Sequence, residues 1–192
     1  MRANARTAGL LAVSLSVVLV GALHIARSGL SPASHRLSEY AIGPFGWVMI
    51  VAFLTLGAGL LALSYGSSRG TAVDRSGALL CSVAGIGMLI TGVFRTGVSP
   101  WSESIHSRAS AIATVCLVAA VMAPVVGRAT GWKKERMATF RTSVAIVALG
   151  LLPISVMLHD TEWKGLGQRL LWGALLTALM LSGWGATAEE RA

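Results

Sequence analysis

The sequence predicts an all-α fold: a polytopic membrane protein built as a six-transmembrane-helix bundle. Three observations predict it. Only 12% of the residues are charged, about half the ~25% typical of a soluble domain. The mean hydropathy is +0.70. Six apolar segments near the ~20 residues that cross a hydrocarbon core are separated by short polar loops. In lipid a backbone must satisfy its own hydrogen bonds, so these segments are read as helices and not as open strands. The whole chain, 1–192, is taken as a single integral membrane domain.

The first span, 7–25, follows Arg2 and Arg6. That start resembles a secretory signal, and Ala26-Arg27-Ser28 offers a cleavage site. The apolar run exceeds the ~7–15 residues of a signal core, so an uncleaved anchor is the reading. The second span, 45–65, carries Ala58, Ala62 and Gly66 at helix-packing spacing, and the third, 76–94, carries Gly85 and Gly87. The fourth, 109–126, repeats the spacing at Ala109/Ala113 and Ala119/Ala123. Small residues four apart let helices approach closely. Pro124 in the fourth span and Pro153 in the fifth, 142–158, predict kinks. The sixth, 170–184, is short and can borrow from Gly165–Arg169 or Gly185–Ala188. No internal repeat is visible.

Lysine and arginine set the orientation. Of the sixteen, Arg27, Arg36, Arg95, Arg108, Lys164 and Arg169 fall in the outer segments, which leaves ten inside. The chain is therefore read as a multi-pass protein of a bacterial-type plasma membrane with both termini cytoplasmic. The net charge of +8 is scattered, with a cluster at Arg128, Lys133, Lys134 and Arg136, so it is read as topology and headgroup contact. No nucleic acid is expected. Cys81 and Cys116 lie at different depths within spans and are read as small core residues.

All four histidines, His24, His35, His106 and His159, fall at the outer edge of the spans, joined by Glu39, Arg95, Glu103, Asp160 and Glu162. Ionisable groups near membrane depth are costly and often functional. The candidate ligand-binding residues are His24, Glu39, Tyr40, Arg95, Glu103, His106, His159 and Asp160. In the first outer loop Ser31-Pro32 predicts a short helix ended by Gly43-Pro44. His35 and Glu39 would share its face. Tyr40 and Trp47 suit the headgroup level. In the second loop Ser99-Pro100 predicts that the fourth span begins early, aligning Glu103 with His106. That spacing occurs in di-iron bundles, but no second copy is present here. In the third loop Asp160 stands beside His159, where a carboxylate can fix the imidazole tautomer. Glu39 is expected to pair with Arg95 or Arg36, with His106 nearby. Arg95, Arg108 and Arg169 are read as interfacial anchors that could also hold an anionic group.

From His35 to Trp47 the chain reads His-Arg-Leu-Ser-Glu-Tyr-Ala-Ile-Gly-Pro-Phe-Gly-Trp. This resembles the domain-of-unknown-function 998 family of bacterial integral membrane proteins. The resemblance implies a six-span bundle with a Ser-Glu-Tyr-Ala-x-Gly-Pro-aromatic-Gly-Trp signature after the first span. A second, looser feature follows the third span: a Phe-x-Thr-Asp stretch, then a histidine opening the fourth. Here those positions read Phe94-Arg95-Thr96-Gly97 and His106. Arg36 stands where proline is expected, and Gly97 where aspartate is expected. The resemblance implies a membrane location and no established activity.

The leading functional expectation is a membrane protein whose outer polar cluster binds a lipid headgroup or small ligand, with membrane lipids as partners. The first alternative is a membrane-embedded zinc-dependent lipid hydrolase. Three histidines with Asp160 or Glu39 would hold the metal and leave a place for water. The metal candidates are His24, His106, His159 and Asp160. A haem-binding electron carrier with paired axial histidines is the further alternative. The spans hold no buried acid for a proton relay, which disfavours secondary transport. The sequence leaves homo-oligomerisation open.

Overall fold

The computed structural model describes residues 2–67, 72–128 and 136–189. Among them it has α1 (Arg2–Ala26), α2 (Gly46–Ser67), α3 (Ala72–Val93), α4 (Pro100–Arg128), α5 (Arg136–Met157) and α6 (Lys164–Glu189). A 3-10 helix, Leu37–Ala41, lies between α1 and α2. No strand occurs among the described residues. Lys133, Lys134 and Arg69, which carry part of the topology argument, lie outside the described residues.

Among the described residues, four helices are long and apolar enough to cross a membrane: Arg2–Ala26, Gly46–Ser67, Asp74–Val93 and Pro100–Ala123. α5 contributes the shorter apolar stretch Thr142–Met157. Arg136 and Arg141 fall at the start of α5, and Lys164, Gln168 and Arg169 at the start of α6.

Consecutive helices α1 to α4 pack closely on one another, and α5 packs mainly on α6. The α5–α6 hairpin touches the other four more lightly. Val13, Leu60, Ala84, Ala113, Leu117 and Leu175 are fully enclosed in the core. Glycine sets the closest helix contacts. A Cβ on Gly57 or Gly85 would come within 2.8 or 2.9 Å of the other's carbonyl oxygen. Gly87 backs onto Ala109 and Ala113. The predicted small-residue stripe of α2 is shifted: Ala58 is exposed, and Gly57 and Gly59 face the neighbours. Lacking a Cβ, glycine allows the nearer approach, and the helix turns that face inward.

The first loop departs from the predicted helix. It makes one turn, with His35 N–H donating to Ser31 O at 3.0 Å. Arg36 then extends at φ −68 and ψ 156, and the 3-10 helix follows. The carbonyls needed to continue a helix are engaged by α6. Leu166 N–H donates to Ala33 O at 3.0 Å, and Arg169 donates to Pro32 O and His35 O. His35 and Glu39 therefore do not share a helical face.

Gly165 makes this docking possible. A Cβ there would strike the carbonyl oxygens of His35, Pro32 and Ala33. All three are backbone atoms that cannot swing away. Gly165→Ala is expected to destabilise the fold by about 2 kcal/mol, in the range of other overpacking substitutions. Thermal unfolding in detergent measures this, and a wild-type midpoint would refute the docking.

Candidate functional site

The end of the bundle where α1 finishes and α6 begins is called distal here. Its centre is Arg169, five residues after Lys164 opens α6. Arg169 Nε–H donates to His24 Nε2 at 2.9 Å. Its Nη1 donates to Pro32 O and His35 O, both at 2.6 Å, and to Gly165 O at 3.0 Å. The guanidinium lies 5.4 Å from the centroid of Tyr40. Its Nη2 is buried and has no hydrogen-bond partner among the described residues.

His24 is fixed from both sides. Its Nδ1 lies 2.7 Å from Val20 O. A carbonyl only accepts, so Nδ1 carries the proton. Nε2 is then the lone pair that receives Arg169, and the ring is neutral. The His24 ring also stacks at a tilt on Tyr40, with centroids 5.0 Å apart. Tyr40 is 1% exposed, and its hydroxyl donates to Leu30 O at 3.0 Å. Arg27 covers its other side at 6.0 Å and donates to Tyr40 O at 3.1 Å and to Ile42 O. Tyr40 is thus an interior residue and not a headgroup-level aromatic; Trp47 is the exposed one.

His106 is 5% exposed. Its Nδ1 faces Phe94 O at 2.8 Å and Thr91 O at 3.0 Å, so that nitrogen carries the proton. The ring meets Phe53 edge-on at 6.0 Å. The register of α4 places it there, because His106 stands on the same inward stripe as Ser102, Ala109 and Ala113.

These side chains cap an interhelical cavity of about 290 Å³. Val17 and Val20 of α1, Met49 and Phe53 of α2, Met88 of α3 and Leu176 of α6 are among its apolar walls. His24, Ser38, His106, Gln168 and Arg169 supply polar atoms. A second cavity of about 250 Å³ lies between α4, α5 and α6. It shares Ser38, His106, Ser110, Gln168 and Trp172 with the first. A polar bowl of about 470 Å³ opens beside Ser38, with Arg27, Arg36, Glu39, Glu103 and Lys164 on its walls.

The structure thus gathers His24, Tyr40 and His106 around the first cavity or its cap. The remaining candidates sit on the rim or outside it. Glu39 pairs with Lys164 at 3.0 Å, not with Arg95 or Arg36. Lys164 reaches it because α6 docks under the first loop. Arg95 and Arg108 are exposed. Arg95 contributes its carbonyl, which accepts from Ser102 Oγ at 2.8 Å. Glu103 is exposed and accepts from Gly97 N–H at 3.4 Å. His159 is exposed, with Asp160 Oδ1 at 2.9 Å and Arg36 Nη2 at 3.1 Å from the same Nδ1. With a proton that nitrogen serves Asp160; with a lone pair it serves Arg36. Arg36 also donates to His159 O at 2.8 Å and so ties the first loop to the third.

Among the described residues, no three His, Cys, Asp or Glu side chains come together as a metal set. His24 has given both nitrogens to Val20 O and Arg169, and His159 with Asp160 lies in the exposed third loop.

The family described as "Protein of unknown function (DUF998)" matches residues 10–185. The chain belongs to the DUF998 family. No curated protein and no solved structure matches it. In this DUF998 protein the Ser-Glu-Tyr-Ala signature is the 3-10 helix itself. Ser38 borders the cavities, Glu39 holds Lys164, and Tyr40 fills the centre. At the two positions where the resemblance implied other residues, the backbone is compatible with those residues as well. Arg36 has φ −68, the value a proline ring imposes. Gly97 has φ +73, a region that glycine adopts freely and aspartate tolerates better than most residues. Neither position lines the first cavity.

Gln168, Ser38 and Trp172 are site residues that the sequence reading left out, and Arg169 it read as an interfacial anchor that could also hold an anionic group. A signal for three of them existed. Gly165, Gln168, Arg169, Trp172 and Leu176 follow helical spacing on one face, continuous with the buried stripe below. The polar pair at its head is therefore turned inward and not toward the headgroups.

Proposed function

We propose that this membrane protein binds an amphipathic lipid or a small ligand with one apolar end. The apolar part occupies the interhelical cavity, and the polar part meets Ser38, His106, Gln168 and Arg169. The observation that carries the reading is the cavity itself: apolar walls beneath a distal end where a cationic side chain has an unused buried donor. Unsatisfied buried polar atoms are rare in folded proteins and cost about 1–3 kcal/mol each. A ligand oxygen at Arg169 Nη2 would remove that cost. Ligand sites are typically apolar clefts with a few convergent polar groups.

The topology that goes with this reading has six spans, both termini cytoplasmic and the polar end extracytoplasmic. The excess of basic residues in the segments at the other end supports it. The ligand is then drawn from the outer leaflet of a bacterial-type plasma membrane.

Gly173 offers a direct test. It lines the cavity, and a Cβ there would meet nothing within 4 Å. Gly173→Phe is expected to fold normally and to fill the cavity. Native mass spectrometry from mild detergent should show an amphiphile adduct on the wild type and at least a tenfold weaker one on the variant. Tenfold corresponds to about 1.4 kcal/mol. Equal adducts on both proteins would place the ligand elsewhere.

A further inference from the structure

We infer that the ligand is a single-chain amphiphile whose headgroup is a phosphate monoester, and that Arg36 and Lys164 hold this anionic head in the α4–α5–α6 cavity. The inference rests on the amphiphile-binding reading above and names its chemistry.

The two cavities meet at Ser38, His106, Ser110, Gln168 and Trp172. Arg169 lines the first, and Arg36, His159 and Lys164 line the second. Among the described residues, no aspartate or glutamate lines either one. Glu39, the partner of Lys164, lines the polar bowl beside Ser38 instead. Asp160, the partner of His159, is 92% exposed. Arg36 hydrogen-bonds through Nη2 alone among the described residues, to His159 Nδ1 and His159 O, so Nε and Nη1 are unengaged. Lys164 gives one of its N–H donors to Glu39 and keeps the others. With Nδ1 accepting from Arg36, His159 carries its proton on Nε2 and is a donor as well; a doubly protonated ring donates there too. The hydroxyls of Ser107, Ser110 and Ser155 line the same cavity and make no hydrogen bond among the described residues.

Cations on the walls with no carboxylate among them select an anion. Cationic groups near membrane depth are costly, and the buried Arg169 Nη2 has no hydrogen-bond partner among the described residues. Charge-assisted hydrogen bonds to an oxyanion offset that cost. A neutral head would leave most of it in place, and a cationic head would add to it. The number of donors decides between anions. Arg36, Lys164 and the three serines offer more unengaged N–H and O–H groups than the about four lone-pair sites of a carboxylate. A phosphate monoester has three strong acceptor oxygens and a charge of about −1.5 to −2 near neutral pH, which matches the two fixed cations of this cavity. His106 lines both cavities, and the assignment does not depend on its protonation. The first cavity, about 290 Å³, is at the low end of the ~300–1,000 Å³ of ligand pockets, which favours one chain over two.

The test titrates the full chain in a nonionic detergent with oleoyl lysophosphatidate, oleate, monooleoylglycerol and free glycerol phosphate, read by native mass spectrometry. Lysophosphatidate is expected to bind at least tenfold tighter than monooleoylglycerol, a factor that one hydrogen bond to a charged group supplies. Oleate should lie between the two, and glycerol phosphate, which has no chain, should bind more weakly than all three. Arg36→Gln and Lys164→Gln should each remove roughly tenfold for lysophosphatidate and leave monooleoylglycerol unchanged. Arg36 also ties two loops together, so Ser107→Asp, at an exposed position on the cavity wall, keeps the test decisive if Arg36→Gln does not fold. Its carboxylate repels the phosphate and should cost lysophosphatidate a similar factor. Equal binding of lysophosphatidate and monooleoylglycerol, indifferent to these variants, overturns this inference and leaves amphiphile binding standing. Oleate as tight as lysophosphatidate overturns the phosphate headgroup, and glycerol phosphate as tight overturns the chain. No binding of any probe overturns both readings.

Discussion

Arg169→Ala is expected to abolish amphiphile retention and to lower the thermal midpoint by roughly 6–12 °C. The guanidinium holds His24 Nε2 and the carbonyls of Pro32, His35 and Gly165 together. Hydrogen bonds to a charged group contribute about 1.5–3 kcal/mol each when well formed. Arg169 is only partly buried, so their combined value is discounted to about 3 kcal/mol. For a chain of this length, 1 kcal/mol moves the midpoint by about 2–4 °C. Arg169→Lys separates charge from geometry. An ammonium keeps the positive charge but lacks the planar fork that reaches a ring nitrogen and several carbonyls at once. The lysine variant should therefore resemble alanine in ligand retention and recover only part of the stability. If lysine restores both, the site needs a cation and not this fork. If alanine changes neither, the network does not exist in the folded protein.

The apolar helices were legible because hydropathy is a sum over many residues, and no single contact can overturn it. The inward placement of His106 extends the Ala109/Ala113 stripe by one turn, a register the sequence reading did not apply to it when it aligned His106 with Glu103. Pairing was not legible. Glu39 had six cations on the outer segments, of which Arg95 and Arg36 were the expected partners, and sequence distance did not single out the true one. Lys164 takes it because Gly165 lets α6 slide under residues 32–35, a contact between segments more than 120 positions apart. Tyr40 was misread for a related reason. An aromatic beside a span usually marks the interface, yet here Arg27 and Arg169 cover it from both sides. The general rule about interfacial aromatics speaks of surfaces, and this loop folds inward because its carbonyls have donors waiting on α6. Such a donor set reads in sequence as ordinary helix-end charge.

Tyr40→Ala is expected to be the most destabilising single change in the distal end. The ring is 1% exposed and is enclosed by His24, Arg27 and Arg169. Truncating a buried aromatic costs about 3–5 kcal/mol through lost burial and the cavity left behind. The two cation–π contacts add about 0.5–1 kcal/mol each at partly exposed cations. Tyr40→Phe keeps the ring and loses one hydrogen bond, that to Leu30 O, so it should cost only about 1 kcal/mol. The contrast assigns the role: a ring that supports Arg169, with the hydroxyl as a minor tie. A double-mutant cycle between Tyr40→Ala and Arg169→Ala should give a coupling of about 1–2 kcal/mol, because contacting residues do not add. The cycle also separates structure from ligand binding. If Tyr40 acts only by holding Arg169, then Tyr40→Ala weakens amphiphile retention in the wild type and has no further effect on retention in Arg169→Ala. Additive losses of stability, with retention still falling in the double variant, would show that Tyr40 meets the ligand itself.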